Sequence, residues 1–197
     1  MGDPVLVAPD VSRAKLGRQV ESFRASEEAY RQRGYWIEDV DDLQVLLTFT
    51  IRSVGAALLP PLGFCIRLDF TNFDLWAPSL TFVDCRTRHP VPGTPQGMQP
   101  PGIPVRAIGE NRMDSLINQH PMTGRPFLCQ PGVREYHSHL QHSGDLWLLR
   151  RTTVSLTSLA DLVWTLMVSN VTCRTEVVAT LVGAGVNVVI SQDPAGC

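Results

Sequence analysis

The segment 129–145 (CQPGVREYHSHLQHSGD) concentrates side chains that can bind a metal or act in catalysis. Three of the five histidines of the protein fall within it, and a cysteine and a glutamate precede them. These residues are Cys129, Glu135, His137, His139 and His142. A thiolate and imidazoles can hold zinc, and the same groups can act as nucleophile and general base. The residue types therefore support two kinds of chemistry.

The metal-binding hypothesis depends on an extended backbone around the histidines. In a strand over residues 133–140, alternate side chains point to one face, with successive members about 7 Å apart. The side chains on that face are Glu135, His137 and His139. His142, Asp145 or Cys129 can then complete a tetrahedral set of the kind that zinc prefers. The alternative is a cluster of exposed or hydrogen-bonded histidines that binds no metal.

Cys129 is also the candidate nucleophile. It follows residues 124–128 (GRPFL) and precedes residues 130–132 (QPG), where a strand is expected to run out into a turn and a thiol can be accessible. Arg125 and Arg134 can favour its thiolate form. Because a thiolate that binds zinc is screened as a nucleophile, we do not expect Cys129 to serve both roles at once.

An N-terminal helix is the first element expected to position this segment. Ser12 is predicted to cap it, and the helix is predicted to run to about Arg33 and end at Gly34. Its apolar stripe consists of Leu16, Val20, Phe23 and Tyr30. Residues 1–10 are expected to form a loose leader before it.

Strand patterns follow, separated by Gly, Pro or Asn turns, and together they predict an antiparallel meander. The predicted strands cover residues 43–51, 63–70 and 79–84. The prolines and glycines that follow predict a long irregular loop over residues 86–119. The later predictions are a helix from about Leu156 to Val168, capped by Ser155 or Thr157, a helical stretch near residues 174–182 and a strand over 185–190. The whole chain, 1–197, is expected to form a single α+β domain.

The charge balance and the cysteines limit the partners and the compartment. Seventeen Lys and Arg residues against nineteen Asp and Glu residues give a net charge of −2, so we expect no nucleic-acid and no membrane partner. The five cysteines show no CxxC spacing, which predicts no disulfide framework. We therefore expect a cytoplasmic protein with reduced thiols, in which Cys65 and Cys85 are small buried apolar residues.

Lys15 is the only lysine among the seventeen cations. Drift of base composition toward arginine is the more economical explanation. A protein that carries a reactive acyl thioester would also benefit from few lysines, because a lysine amine readily attacks such an ester. Adding lysines near Cys129 is therefore expected to increase self-modification only if the protein forms a thioester.

The order of these elements resembles the ubiquitin-conjugating enzyme fold over about residues 12–170. The shared features are an N-terminal helix, a meander with an aromatic and proline turn (FTNFDLWAPSLTF), a His-Pro turn, a cysteine, a tryptophan and a crossover helix. The last four are His120-Pro121, Cys129, Trp147 and the helix from Leu156. The resemblance implies that Cys129 receives a ubiquitin-like protein from its activating enzyme as a thioester, with His120 at the catalytic site.

Two features depart from that family. Met122 stands where the family has an asparagine that assists attack on the thioester. The interval from Cys129 to Trp147 is also longer, and it holds the glutamate and the histidines. This Cys-Glu-His-His pattern resembles predicted metal-binding proteins of bacterial ubiquitin-like conjugation systems, which implies a bacterial pathway of the kind used in antiviral defence.

The sequence therefore supports three functions. A conjugating enzyme would use Cys129 as nucleophile and His137, His139 or His142 as general base, with Glu135 orienting an imidazole. A metal-binding accessory protein would hold zinc with the same residues and carry no thioester. A docking module would bind a partner enzyme through the proline-rich loop and the aromatic turn. The acceptor and the oligomeric state stay open.

Overall fold

A computed structural model of the chain describes residues 4–51, 62–91, 107–109, 112–114, 117–120, 123–139, 142, 144–166, 175–182 and 185–192. The helices in these ranges are α1 (Pro9–Arg24), α2 (Glu27–Arg33), α3 (Arg134–His137), α4 (Trp147–Arg150) and α5 (Leu156–Trp164). The strands are β1 (Tyr35–Asp41), β2 (Gln44–Ile51), β3 (Leu62–Asp69), β4 (Ser79–Val83), β5 (Ala107–Gly109), β6 (Arg112–Asp114), β7 (Ile117–Gln119), β8 (Pro126–Leu128), β9 (Thr175–Val182) and β10 (Gly185–Gln192). The protein is therefore α+β, as predicted. None of the helices described is long and apolar enough to cross a membrane.

The N-terminal region forms two helices where the sequence predicted one. α1 begins at Pro9, which suits the first turn of a helix because its missing N–H needs no partner there. Ser12 is not a cap: it is buried, and its hydroxyl donates to the Phe73 carbonyl at 3.1 Å. α2 ends as predicted at Gly34, which adopts a φ of 99°, a value that favours glycine.

Four antiparallel strands form one sheet in the order β1-β2-β3-β4. The predicted meander of β2, β3 and β4 is confirmed, and β1 adds an edge strand that the sequence did not predict. β1 was missed because its alternation breaks between Ile37 and Asp39, where the register with β2 shifts. Acidic side chains fill the second half of this strand.

The main core lies between one face of the sheet and the helices α1 and α5. The side chains that fill it from the sheet alternate with more exposed ones, as expected for a strand with one buried face. Buried members from these elements include Leu16, Val20, Phe23, Leu47, Phe49, Ile66, Leu68, Leu156, Leu159 and Val163. Ser155 and Ser158 cap α5 reciprocally, which confirms Ser155 as the predicted cap. Residues 167–168 of the predicted helix lie outside the described residues.

The predicted irregular loop over residues 86–119 contains short paired strands, so this prediction is corrected. β5 pairs with β6, and β7 pairs with β8, each through three residues. Strands of three residues are too short to show an alternating apolar pattern in the sequence, and their pairing depends on register. The proline-rich stretch at 92–106 lies outside the described residues.

The C-terminal stretch forms a hairpin. β9 and β10 pair residue by residue from Thr175 with Gln192 to Val182 with Gly185. The strand predicted at 185–190 is confirmed. The helical stretch predicted near 174–182 is wrong, because the β-branched residues of TEVVATLV favour a strand.

Cys65 and Cys85 form a disulfide, with their Cα atoms 5.2 Å apart. Cys65 faces Val83 across β3 and β4, and Cys85 follows Val83 by two residues, so strand register brings the two cysteines together. The expectation that both are reduced apolar residues is corrected. Cys173 and Cys197 lie outside the described residues.

Asn72 anchors the residues that precede α1. Its buried side-chain oxygen accepts hydrogen bonds from the N–H groups of Leu6 (2.7 Å) and Val7 (3.0 Å), and its amide nitrogen donates to the Pro4 carbonyl (2.8 Å). The side chain of Asn72 thus satisfies its polar atoms with backbone groups of the leader. Residues 4–7 are therefore part of the folded domain, and the expectation of a loose leader is corrected for them.

Candidate functional site

Cys129 directly follows β8, as the sequence predicted for a strand that runs out into a turn. Phe127 and Leu128 are buried and fix the end of this strand in the protein interior. A turn then begins, in which the Gln130 N–H donates to the Leu128 carbonyl at 2.9 Å. Cys129 itself is half-buried and carries a thiol. The local fold therefore holds this thiol at the boundary between core and solvent.

The residues after this turn form the short helix α3, so the predicted extended strand over residues 133–140 is wrong. The correction changes which side chains lie together. Positions two apart share a face in a strand, but they point to nearly opposite sides of a helical turn. Glu135 and His137 accordingly bind different parts of the protein.

Glu135 binds strand β4. Its carboxylate accepts hydrogen bonds from the Ser79 hydroxyl and from the Leu80 N–H, the latter at 3.1 Å. The residue as a whole is half-buried, but its carboxyl end is enclosed, and this burial raises the pKa of the carboxyl group. The two hydrogen bonds oppose that rise. Glu135 therefore joins α3 to the sheet, and the two bonds described for its carboxylate go to β4 and not to an imidazole.

His137 ties the turn after Cys129 to Asp145. Its Nδ1 atom donates to the Asp145 carbonyl at 2.8 Å, and its Nε2 atom accepts from the Gly132 N–H at 3.2 Å. These partners use both ring nitrogens and define the tautomer that carries its proton on Nδ1. As a general base or a zinc ligand, His137 would have to lose one of these bonds.

His142 is the histidine that the structure places against the cysteine thiol. Its Nε2 atom lies 3.3 Å from the Sγ atom of Cys129. The ring of Tyr136 stacks on the His142 ring, with centroids 4.0 Å apart and planes inclined by 17°. Cys129 and His142 are both half-buried, so a reagent can reach them. This pair is a nucleophile beside a proton acceptor, the arrangement that activates a thiol.

His139 and His120 pack against Phe127. The His139 ring stacks on Phe127 with centroids 5.8 Å apart and lies 5.6 Å from the His142 ring. His120 is 7% exposed, meets Phe127 edge-on at 5.7 Å, and has its Nε2 atom 3.4 Å from the Ser138 hydroxyl oxygen. His120 of the His-Pro turn is thus a buried, packed side chain. Pro121 and Met122 lie outside the described residues.

Asp145 accepts hydrogen bonds from Tyr136 and Arg150. The Tyr136 hydroxyl donates to one carboxylate oxygen at 3.2 Å, and the Arg150 Nε atom donates to the other at 2.6 Å. The bond from Arg150 is the main reason that the pKa of Asp145 is lowered. Burial, followed by the bond to Asp145, raises the pKa of the Tyr136 phenol. Donor and acceptor therefore keep their roles over a wide pH range.

Arg134, which the sequence offered as a cation to favour the Cys129 thiolate, anchors α3 through the following contacts. Its guanidinium donates to the carbonyls of Ala77 (3.0 Å) and Thr71 (2.7 Å) and lies over the ring of Trp76, 5.2 Å from the centroid. Arg134 thus fixes the helical turn against the segment between β3 and β4, and Glu135 fixes it against β4. Arg125, the other predicted cation, is exposed four residues before Cys129.

The predicted zinc ligands do not fit a metal ion in this arrangement. Within the part of the chain that the structure describes, no three His, Cys, Asp or Glu side chains form a group that could hold one. Glu135 binds β4, and His137 binds backbone groups on both ring nitrogens. Cys129 and His142 form a pair, whereas structural zinc sites use four ligands.

Tyr136 is the residue of this site that the sequence reasoning missed. It lies inside the run of potential ligands, between Glu135 and His137, and an aromatic side chain in that place carries no signal for metal binding. Its contact with His142 depends on the helical turn α3, which the sequence did not predict.

Comparison with known proteins gives one family and one curated relative. The sequence profile of the Y4jH family matches residues 7–171, a range that includes Cys129 and the five helices given above for the described residues. The chain is also 36% identical over 160 residues to the uncharacterized protein y4jH of Sinorhizobium fredii. That alignment covers 74% of this chain and 75% of the relative.

Proposed function

The chain belongs to the Y4jH family, and we propose that it is a conjugating enzyme for a ubiquitin-like protein, with Cys129 as the thioester-forming residue. The observation that carries the proposal is the distance of 3.3 Å between the Cys129 thiol and the His142 imidazole. A half-buried thiol at a strand end with an imidazole in contact is suited to acyl transfer.

In the first proposed step, the Cys129 sulfur attacks the thioester carbonyl that joins the modifier to its activating enzyme. A new S–C bond forms on Cys129, and the activating enzyme leaves as a thiolate. In the second step, an acceptor amine or hydroxyl attacks the new thioester and Cys129 leaves. In this proposal His142 takes the proton from the Cys129 thiol in the first step and passes it to the thiolate of the departing activating enzyme. The neutral imidazole then takes the proton from the acceptor in the second step, in which Cys129 leaves as a thiolate.

The order of the elements supports the same proposal. An N-terminal helix precedes an antiparallel meander, the cysteine follows, and a later helix, α5, packs with α1 on the face of the sheet. This order is the one expected for a ubiquitin-conjugating fold. His142 would supply the assistance that the family takes from the asparagine for which Met122 stands here. We place the activity in the cytoplasm of a bacterium.

The direct test incubates the protein with a competent activating enzyme, its ubiquitin-like protein and ATP. We expect an adduct that a thiol reagent cleaves and that is absent in Cys129→Ala. Cys129→Ser is the matched control, because its ester would survive the thiol reagent. Absence of an adduct with a pair that charges another conjugating enzyme would contradict the proposal. Pathway function retained in Cys129→Ala, but lost when residues 86–119 are replaced, would favour the docking module instead.

A further inference from the structure

The imidazole of His142 has contacts on more than one side. The Cys129 thiol meets its Nε2 atom, and the ring of Tyr136 covers one ring face at 4.0 Å. The backbone of His142 is also held: its N–H donates to the His139 carbonyl at 2.9 Å, and its carbonyl accepts from the Asp145 N–H at 3.0 Å. The ring can turn about its side-chain bonds, so a neighbour that restricts rotation decides whether Nε2 faces the sulfur.

Tyr136 is itself held at its far end. Its hydroxyl donates to Asp145 at 3.2 Å, and Arg150 fixes that carboxylate through a bond of 2.6 Å to the other oxygen. The Asp145 backbone is fixed as well, because its carbonyl accepts from His137 at 2.8 Å. An aromatic ring anchored at its hydroxyl presents a stationary face to whatever stacks on it.

From these contacts we infer that Tyr136 is a positioning residue, which Asp145 anchors and which holds the His142 imidazole against the Cys129 thiol. The inference rests on the proposed function only in taking Cys129 as a reactive thiol. In this assignment Tyr136 acts through its ring contact with His142. The geometry of the thiol and imidazole pair, rather than its composition alone, then sets the reactivity of Cys129.

The experiment measures the rate at which iodoacetamide alkylates Cys129, read by mass spectrometry of the peptide that contains it. Alkylation needs no partner protein. We expect His142→Ala and Tyr136→Leu each to lower the rate by about tenfold, since a misplaced group loses most of its effect. Tyr136→Phe keeps the stacking ring and loses the bond to Asp145, so we expect a smaller loss, of about twofold to threefold.

The decisive measurement is a double-mutant cycle. If Tyr136 acts through His142, Tyr136→Leu has no further effect on alkylation in a His142→Ala background. Equal slowing in both backgrounds would overturn the inference, because it would mean that the ring supports Cys129 or the fold independently of His142. No slowing by Tyr136→Leu in the parent background would overturn it too.

Two controls keep the cycle interpretable. Tyr30→Leu removes a partly buried aromatic ring that stacks on Tyr35 with centroids 5.2 Å apart, so it reports the general effect of losing such a ring. Far-UV circular dichroism and the thermal midpoint identify a variant that does not fold. If Tyr136→Leu does not fold, the alkylation rate of Tyr136→Phe in the parent and His142→Ala backgrounds tests the inference instead. A failed thioester assay with an intact cycle would reject the conjugating function and leave the positioning role standing.

Discussion

The Nε2 atom of His142 lies 3.3 Å from the Sγ atom of Cys129, which precedes it by 13 residues in the chain. The helical turn α3 lies between the two residues in the sequence, and the imidazole of His142 contacts the thiol at the end of β8. In this segment a ring nitrogen of His142 lies against the thiol, while His137 bridges two backbone groups.

Replacement of His142 should therefore lower thioester formation more than replacement of another histidine. We expect His142→Ala to reduce the rate of adduct formation by about 10²-fold, the lower end of the contribution of a general base. His89→Ala is the matched control, because His89 is an exposed histidine on the turn after β4. Single-turnover assays with the charged activating enzyme give both rates. Equal rates for the two variants would contradict the role of His142.

We expect replacement of Glu135 to change the stability of the protein and not the chemistry of Cys129. Glu135→Ala removes the acceptor of the Leu80 N–H, which should lower the free energy of unfolding by about 1–3 kcal/mol. Glu135→Gln can still accept from Leu80 and bond with Ser79, and it carries no charge to bury. Urea denaturation at neutral pH should therefore rank Glu135→Gln at or above the parent protein and Glu135→Ala below it.

The difference between Glu135→Gln and the parent protein should also depend on pH. Burial raises the pKa of Glu135 in the folded protein above its unfolded value, so ionisation costs stability. The parent should lose stability as pH rises from the ordinary glutamate range through the folded pKa, and Glu135→Gln should not. Urea midpoints across this range check the sign. A growing advantage of the parent at higher pH would contradict burial as the main influence.

Zinc content separates the enzyme from the metal-binding alternative. We expect purified protein to hold less than one equivalent of zinc, even after reconstitution, because Glu135 and His137 already have other partners. Elemental analysis of the protein gives the ratio. One zinc per chain that is lost in both Cys129→Ala and His142→Ala would favour the metal-binding accessory protein and would require these side chains to rearrange.

The only lysine gives a prediction about self-modification. The Lys15 amine lies 2.5 Å from an Asp74 carboxylate oxygen, and this bond is the main reason that the pKa of Asp74 is lowered. The ion pair engages this amine with Asp74, so we expect little self-conjugate at Lys15 in the parent protein. We expect Arg125→Lys to give a thiol-resistant self-conjugate on electrophoresis, and Arg18→Lys on α1 to give little. Equal products from both variants, or none, would contradict the thioester hypothesis.

The disulfide gives a prediction that needs no assumption about function. Peptide mapping without reductant should recover Cys65 linked to Cys85. With a sequence separation of 20, the link should stabilise the oxidised protein by about 3 kcal/mol relative to a variant with alanine at both positions. Urea denaturation with and without reductant measures this difference. In a reducing cytoplasm the protein should be less stable by a similar amount.

Residue patterns within single segments predicted three strands of the sheet and the start of α5. Runs rich in β-branched, leucine or aromatic residues identified β2, β3 and β4, and the serine before α5 identified its start. The disulfide and the short hairpins of residues 107–128 depend instead on which residues face each other across strands. A single sequence does not specify that register when only three residues pair.

The candidate site was predicted in composition and not in geometry. Cys129 was placed correctly at a strand end, and His142 was among the candidate bases. The pairing of these two residues depends on the helical turn α3, which the apolar spacing of residues 133–140 does not indicate. The hydrogen bonds of Glu135 to β4 join parts of the chain that are far apart in the sequence. Such contacts can override the local preference of a segment, and here residues 134–137 form a helical turn where the sequence predicted a strand.

The His137 side chain binds the backbone of both Gly132 and Asp145. This bridge fixes the number of residues that the chain can have between these two positions. An insertion or deletion between these two positions would pull the imidazole off one of its backbone partners. Among members of the Y4jH family that keep the equivalent of His137, changes of length should therefore collect outside the stretch from Gly132 to Asp145. The spacing between these two positions then becomes a way to recognise, in a new genome, which relatives have kept the His137 bridge.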